Sequence, residues 1–236
     1  MKVIARKFGI LGYAEALHQM REFVDRRNED TLDELWCLEH PPVFTQGQGG
    51  RAAHVGDVGV IPVVQSDRGG QVTYHGPGQL IVYILMDLRR QAIGPRELVF
   101  RIEAGLLDLL IENGIDAERR PGAPGIYVAE AKIAALGLRI RRGTSYHGLS
   151  LNVDLDLEPF SRINPCGFKG LQVTRLKDFD LNVDCDRAAK QLLPKLVRSL
   201  YGGNLEVELD YQSGNILPLN VVDSADNDSS TCAISN

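Results

Sequence analysis

Residues 68–79 read RGGQVTYHGPGQ and run without a break into LIVYILM at residues 80–86. Four glycines in the first twelve positions need a reason, because glycine loses the most backbone entropy on folding. The usual reasons are a positive φ or a close approach of backbone to a ligand. The apolar run that follows has the β-branched and large aliphatic composition of a buried strand. A polar, glycine-rich segment therefore leads straight into the core of a sheet. The bland alternative is a tight loop of unusual composition.

Upstream, Tyr13, Leu17, Met20 and Val24 recur at helical spacing, which predicts an amphipathic helix over Ala14–Arg27. Leu32–Leu38 fits a strand or a continuation of that helix. The prolines at 41 and 42 stop any helix and place His40 in an extended conformation. Gly47, Gly49 and Gly50 read as a loose loop, and Val63 and Val64 lead into the opening stretch. Downstream, Pro95 suits a first helical turn. Leu98, Ile102, Leu106 and Leu109 follow with helical period, and Gly114 is a stop. Ile126–Val128 and Lys132–Leu136 read as a hairpin around Ala129–Ala131. Strict alternation over Leu149–Leu157 predicts a strand with one buried face. Asp186–Tyr201 reads as a helix capped by Asp186, kinked near Pro194 and ended by Gly202–Gly203. Residues 1–221 are expected to form one domain, because no linker-like stretch divides them. Residues 222–236 are expected to form a disordered polar tail.

Composition narrows the function. The 236 residues carry a net charge of −5, which argues against a dedicated nucleic-acid binder. No signal peptide and no run of about 18 apolar residues is seen, so neither secretion nor a membrane span is expected. The four cysteines, Cys37, Cys166, Cys185 and Cys232, form no CxxC pair, and the histidines show no metal-ligand spacing. That pattern points away from metal sites and disulfides and towards a reducing, cytoplasmic setting. One region departs from the acidic average. Lys132 to Lys177 holds eight basic residues against three acidic ones, a zone able to steer a negative partner or merely a set of scattered solvated side chains.

Cys166 is the most suggestive nucleophile. It lies in a polar loop between Pro165 and Gly167, near Arg162 and Lys169, whereas Cys37 sits in an apolar stretch and reads as core. A free thiol is only about 3% ionised at pH 7, and a cation that lowered its pKa by about two units would raise that to roughly three quarters. Lys132, His40, His75 and His147 are candidates for that partner. Each histidine is equally a candidate for a hydrogen-bonded structural role. Lys132 opens an apolar strand, where it is either an edge gatekeeper or a group pointing into a cleft. The glycines fit neither a P-loop nor a dinucleotide-binding turn.

Taken together, EHPPVFTQG at Glu39, DRGGQVTYHGPGQL at Asp67, KIAALGLRIRRG at Lys132, SYHGLSLNVD at Ser145 and RINPCG at Arg162 resemble the bacterial octanoyltransferases, from about Glu39 to Lys177. Ala131, where glycine is common, and Ala134–Ala135 depart from the usual family pattern. The resemblance implies an α+β fold: a mixed β-sheet flanked by helices, similar to the catalytic domain of biotin and lipoate protein ligases. It implies an acyltransferase that moves an octanoyl group from octanoyl-acyl carrier protein to a lysine of lipoyl domains, without cofactor or metal. The acceptors would be the lipoyl domains of 2-oxoacid dehydrogenases and the glycine cleavage H protein. Cys166 matches the acyl-accepting cysteine and Lys132 its paired lysine. Arg68, Gly69, Gly70, Gln71, Val72, Thr73, Tyr74 and His75 match a substrate-binding motif. Ala135, Leu136 and Gly137, and Gly148, Leu149 and Ser150, match two more substrate-binding segments. Backbone N–H groups at Gly69, Gly70 or Gly137 are candidates for holding an oxyanion. The rival readings are an ATP-dependent lipoate or biotin ligase, a Cys/His thiol hydrolase and a non-catalytic module that binds acylated carrier protein.

Overall fold

The central strand is the one the sequence marks most strongly. In the computed structural model, which describes residues 2–164, 171–202 and 208–213, Gln79–Leu85 is a strand with every residue buried. Its alternation explains the unbroken apolar run. Leu80, Val82 and Ile84 face one core cluster, and Ile81, Tyr83 and Leu85 face another. Both faces of the sheet are thus covered along Leu80–Leu85, and the polar Gln79 stands only at the strand's start.

In chain order the elements are β1 (Lys2–Ile10), α1 (Tyr13–Arg26), β2 (Asp33–Glu39), β3 (Val43–Gln46), β4 (Val63–Gln65), β5 (Val72–His75) and β6 (Gln79–Leu85). Then come α2 (Pro95–Glu112), β7 (Glu118–Arg119), β8 (Gly125–Val128), β9 (Ala131–Arg141), β10 (Thr144–Asn152), α3 (Cys185–Tyr201) and β11 (Glu208–Ser213). Among the described residues an eight-stranded sheet runs β11-β1-β2-β6-β10-β9-β8-β7, and a three-stranded sheet runs β4-β3-β5. The larger sheet is mixed. β1 pairs in parallel with β2 and β11, and the other pairs are antiparallel. Helices α2 and α3 pack on one face through Leu98, Ile102, Leu106, Leu192 and Leu196. Helix α1 covers part of the other through Leu17, Met20 and Val24. This is the expected α+β architecture.

Of the two readings of Leu32–Leu38, the strand holds, as β2 (Asp33–Glu39). Three other local expectations are corrected. The alternating stretch after Gly148 belongs to β10, which starts at Thr144, ends at Asn152 and is buried on both faces rather than one. Helix α3 is capped by Asp184, whose side chain accepts from the Arg187 N–H at 2.7 Å; Asp186 lies inside the first turn. The Gly47–Gly50 loop is tied down. The N–H groups of Gly47, Gln48 and Gly49 donate to the carbonyls of Gln71, Arg68 and Gly70. The proposed tail at 222–236 lies outside the described residues.

Candidate active site

Within the opening stretch, Val72–His75 is itself a strand, β5, paired antiparallel with β3. Its alternation sorts the motif. Tyr74 packs against the rings of Phe44 at 5.4 Å and Phe160 at 5.6 Å, inside a separate apolar cluster. Thr73 and His75 line a cleft between the two sheets. The same cleft is lined by Arg68, Gly70, Gln71, Val72, Ala135, Leu136, Gly137, Gly148, Leu149 and Ser150. Three stretches far apart in sequence thus meet at one place because β9 and β10 are neighbours, with Gly137 opposite Gly148, and β6 lies beside β10. Of the substrate-binding positions implied by the resemblance, only Tyr74 and Gly69 do not line the cleft. The Gly69 N–H donates to the Leu138 carbonyl at 2.9 Å, so it is spent within the protein and is withdrawn as an oxyanion donor.

Arg68 is a scaffold of the cleft. Its guanidinium donates to the Thr45 carbonyl at 2.6 Å, the Gln71 carbonyl at 2.7 Å and the Gly69 carbonyl at 2.9 Å. These bonds curl residues 68–71 around a fixed positive charge, and Gly70 supplies the φ of +85° that the curl needs.

The histidines separate by environment. His40 has both ring nitrogens engaged, Nδ1 with the Leu11 carbonyl and Nε2 with the Tyr83 hydroxyl, each at 2.6 Å. Burial lowers its pKa to about 4. His75 meets Gln79 Oε1 at 2.7 Å and Thr45 Oγ1 at 3.3 Å, and burial pushes its pKa well below the usual value. A row of bonds continues from Gln79 Nε2 to Asn152 Oδ1, from Asn152 Nδ2 to the Thr174 carbonyl, and from the Thr174 N–H to the Lys132 carbonyl. His147 lies on β10 with Nε2 at 2.8 Å from Asp67 Oδ1, while its Nδ1 is buried without a partner. Its pKa is lowered, by burial first and against the opposing pull of Asp67.

Lys132 is only 5% exposed, which removes the edge-gatekeeper reading. Its Nζ donates to the Pro124 carbonyl at 3.1 Å and lies 5.0 Å from the centre of the Tyr127 ring. A Cβ placed on Gly125 would lie 3.4 Å from that nitrogen, and Gly125 sits opposite Ala135 in the ladder, so the amine lies beside the strand that lines the cleft. The Lys132 backbone is clasped by the chain returning at 172–174. Cys166, like Lys169, lies outside the described residues. Cys37 and Cys185 are buried, and burial pushes the Cys37 thiol up to about 12, as a core cysteine requires.

Five of the eight residues of the basic zone sit in ion pairs. Arg141 and Arg142 face Asp25, Arg162 faces Glu158, Arg175 faces Asp178, and Lys177 faces Asp154. Two of these acids, Asp25 and Asp178, lie outside the stretch, so they offset part of its local excess of positive charge in three dimensions. Sequence reasoning also missed Tyr13, Ile81 and Tyr83 as cleft residues. They stand in apolar periodic runs; Ile81 carries no distinguishing signal, and the two tyrosines carry only the phenolic oxygen, which in Tyr13 bonds Ser66 Oγ at 2.6 Å.

Residues 12–197 match the lipoyl protein ligase A/B catalytic domain family. The chain belongs to this family. Within it, the chain is 57% identical over 195 residues to an octanoyltransferase of Stutzerimonas stutzeri, spanning 83% of this chain and 89% of that one. It is 56% identical over 195 residues to an octanoyltransferase of Pseudomonas entomophila, spanning 83% and 91%. The chain is therefore a member of the octanoyltransferase branch of the family. Its fold also matches a crystal structure of lipoate-protein ligase A bound with ATP, with a TM-score of 0.71 and 16% identity over 91% of this chain and 90% of that one. At that identity the likeness concerns the fold alone. Among the described residues of this octanoyltransferase-family chain, no helix is long and apolar enough to cross a membrane.

Proposed function

We propose that this protein transfers an octanoyl group from octanoyl-acyl carrier protein to a lysine of lipoyl domains through a thioester on Cys166. The acceptors are the lipoyl domains of 2-oxoacid dehydrogenases and the glycine cleavage H protein, and the setting is cytoplasmic. The observation that carries the reading is the single cleft built from residues 68–75, 135–137 and 148–150, in a chain more than half identical to proteins named octanoyltransferase.

The Cys166 thiolate attacks the donor thioester. Exchange of one thioester for another is near isoenergetic, so no ATP is consumed. A lysine amine then attacks the acyl-Cys166 thioester, and amide formation draws the sequence forward. Lys132 stands as the counter-ion of the thiolate. It is buried beside a cleft-lining strand, and its backbone is bonded to Gln172, six positions after Cys166. Burial of the acyl chain supplies about 5 kcal/mol at roughly 0.8 kcal/mol per methylene. The apolar side chains Ile81, Leu136 and Leu149 give the cleft a surface for it.

Mass spectrometry after incubation with octanoyl-acyl carrier protein tests the proposal. One octanoyl group is expected on Cys166 in the absence of ATP, and none on a thioester in Cys166→Ser. Lys132→Ala is expected to slow acylation at least about 100-fold. Acylation that required ATP, or that proceeded at full rate without the lysine, would overturn the corresponding step.

A further inference from the structure

A second cavity, of about 420 Å³, opens between α1 and strands β1 and β2. It shares no lining residue with the cleft. One wall is aromatic: Phe8 and Phe23 both meet Trp36, with ring centroids 5.1 and 5.9 Å apart. The strands supply a fixed polar floor. Arg6 of β1 donates to both carboxylate oxygens of Glu34 on β2, at 2.6 and 2.7 Å. The Trp36 Nε1–H donates to the same carboxylate at 2.6 Å. These bonds set the indole plane and leave the glutamate satisfied.

Two groups from the α1 side are left over. Gln19 is only 4% exposed, yet neither its Nε2 nor its Oε1 has a hydrogen-bond partner among the described residues. Arg27, with a side chain 3% exposed, spends its terminal nitrogens on the Leu85 and Thr31 carbonyls and on Asp33. Its Nε–H is buried with no partner among the described residues. Buried polar groups are nearly always bonded, because desolvation without a new bond is costly. Two such groups among the lining residues of one cavity mark a place where something bound completes the bonding. Charge does not select an ion there. Arg6 is paired with Glu34, Arg26 with Glu22 and Arg27 with Asp33. What remains is a flat apolar wall, a free carboxamide and a single spare N–H, which together suit a neutral planar molecule.

We propose that this cavity binds an adenine-type purine base, packed against Phe8, Phe23 and Trp36 and read by Gln19. The aromatic wall offers the stacking surface that a base requires. A carboxamide both donates and accepts, and a glutamine pairs in this way with the N6 amine and N7 of adenine. The Arg27 Nε–H adds a donor for a ring nitrogen. The volume falls within the range of small-molecule sites. Because every arginine at the cavity already faces a carboxylate, recognition falls on the ring and not on a phosphate. The site is separate from the acyl-transfer cleft, and the proposal stands independently of that reading.

Trp36 is the single tryptophan of the chain, so intrinsic fluorescence reports on this cavity directly. The full chain is titrated with adenosine, with AMP and with purine riboside, which lacks the 6-amino group. Adenosine is expected to quench Trp36 saturably. Purine riboside is expected to bind about 10-fold more weakly, and Gln19→Met to weaken adenosine by about 10-fold or more. AMP is expected to bind no more tightly than adenosine. Gln19→Met removes a buried amide that has no partner, so its thermal midpoint should equal or exceed that of the native protein. Absence of quenching would mean that the cavity holds water only, and would overturn the proposal. So would equal affinity of the native protein and Gln19→Met for adenosine, or binding that required the phosphate. A midpoint lowered by Gln19→Met would show that the amide is already satisfied, and would count against the site in the same way.

Discussion

At the scale of single residues, Gly148 shows how a motif position can be demanded by the fold. A Cβ there would lie 2.0 Å from the Val82 carbonyl oxygen of β6, and backbone in mid-ladder cannot step aside. Gly148→Ala is expected to destabilise the protein by at least about 3 kcal/mol, read as a large drop in the denaturation midpoint. A native-like midpoint would contradict the β6–β10 packing. Much of the cleft was legible one residue at a time: the glycines, His75 and the buried lysine stand out by chemistry. The roles were less legible. Arg68 reads as a ligand-facing cation, but its donors close a backbone curl. Tyr74, in the same motif, faces the other way because a strand alternates its side chains.

At the scale of elements, capping is a direct test. Asp184, one residue outside α3, accepts from the Arg187 N–H, whereas Asp186 lies inside the helix and pairs with Lys7 at the surface. Asp184→Ala is expected to cost about 1 kcal/mol in chemical denaturation, and Asp186→Ala distinctly less. The reverse order would restore Asp186 as the cap. The misplacement has a simple cause: with Asp184 and Asp186 both near the start of the apolar period, only backbone dihedrals choose between them. The length of β10 was misread for a related reason. The alternation of leucines continues to Leu157, but pairing with β6 and β9 stops by Asn152, so Val153 and Leu155 are buried without belonging to the strand.

At the scale of the whole molecule, three histidines are buried near one another between the layers, at His40, His75 and His147. All three have pKa values lowered by burial, so the unfolded chain binds more protons than the folded one once the pH falls below about 6.5. Stability is therefore fully present above that value and lost on acidification. For His40 the loss continues until about pH 4 and amounts to about 3 kcal/mol at 1.36 kcal/mol per unit. Asp67, with its pKa depressed, adds a further loss only at lower pH. Thermal melts between pH 7.5 and 4 should show a steep fall through this window. A flat profile would mean that the folded protein holds these rings protonated.

The sequence by itself determined the covered strand at 79–85, the two long helices that pack behind it, the membership of the octanoyltransferase family and the stretches that build the cleft. These follow from local chemistry, since periodicity, prolines and glycines constrain a segment wherever it ends up. Tertiary structure alone decided which of those residues face one another: Gly137 opposite Gly148, Asp67 beneath His147, and Lys132 beside Gly125. It also decided that part of the basic zone, Arg141 and Arg142, is paired with Asp25, more than a hundred positions away. Charge and hydrogen bonding act through a few ångströms of space, and strand order, not chain order, sets those distances.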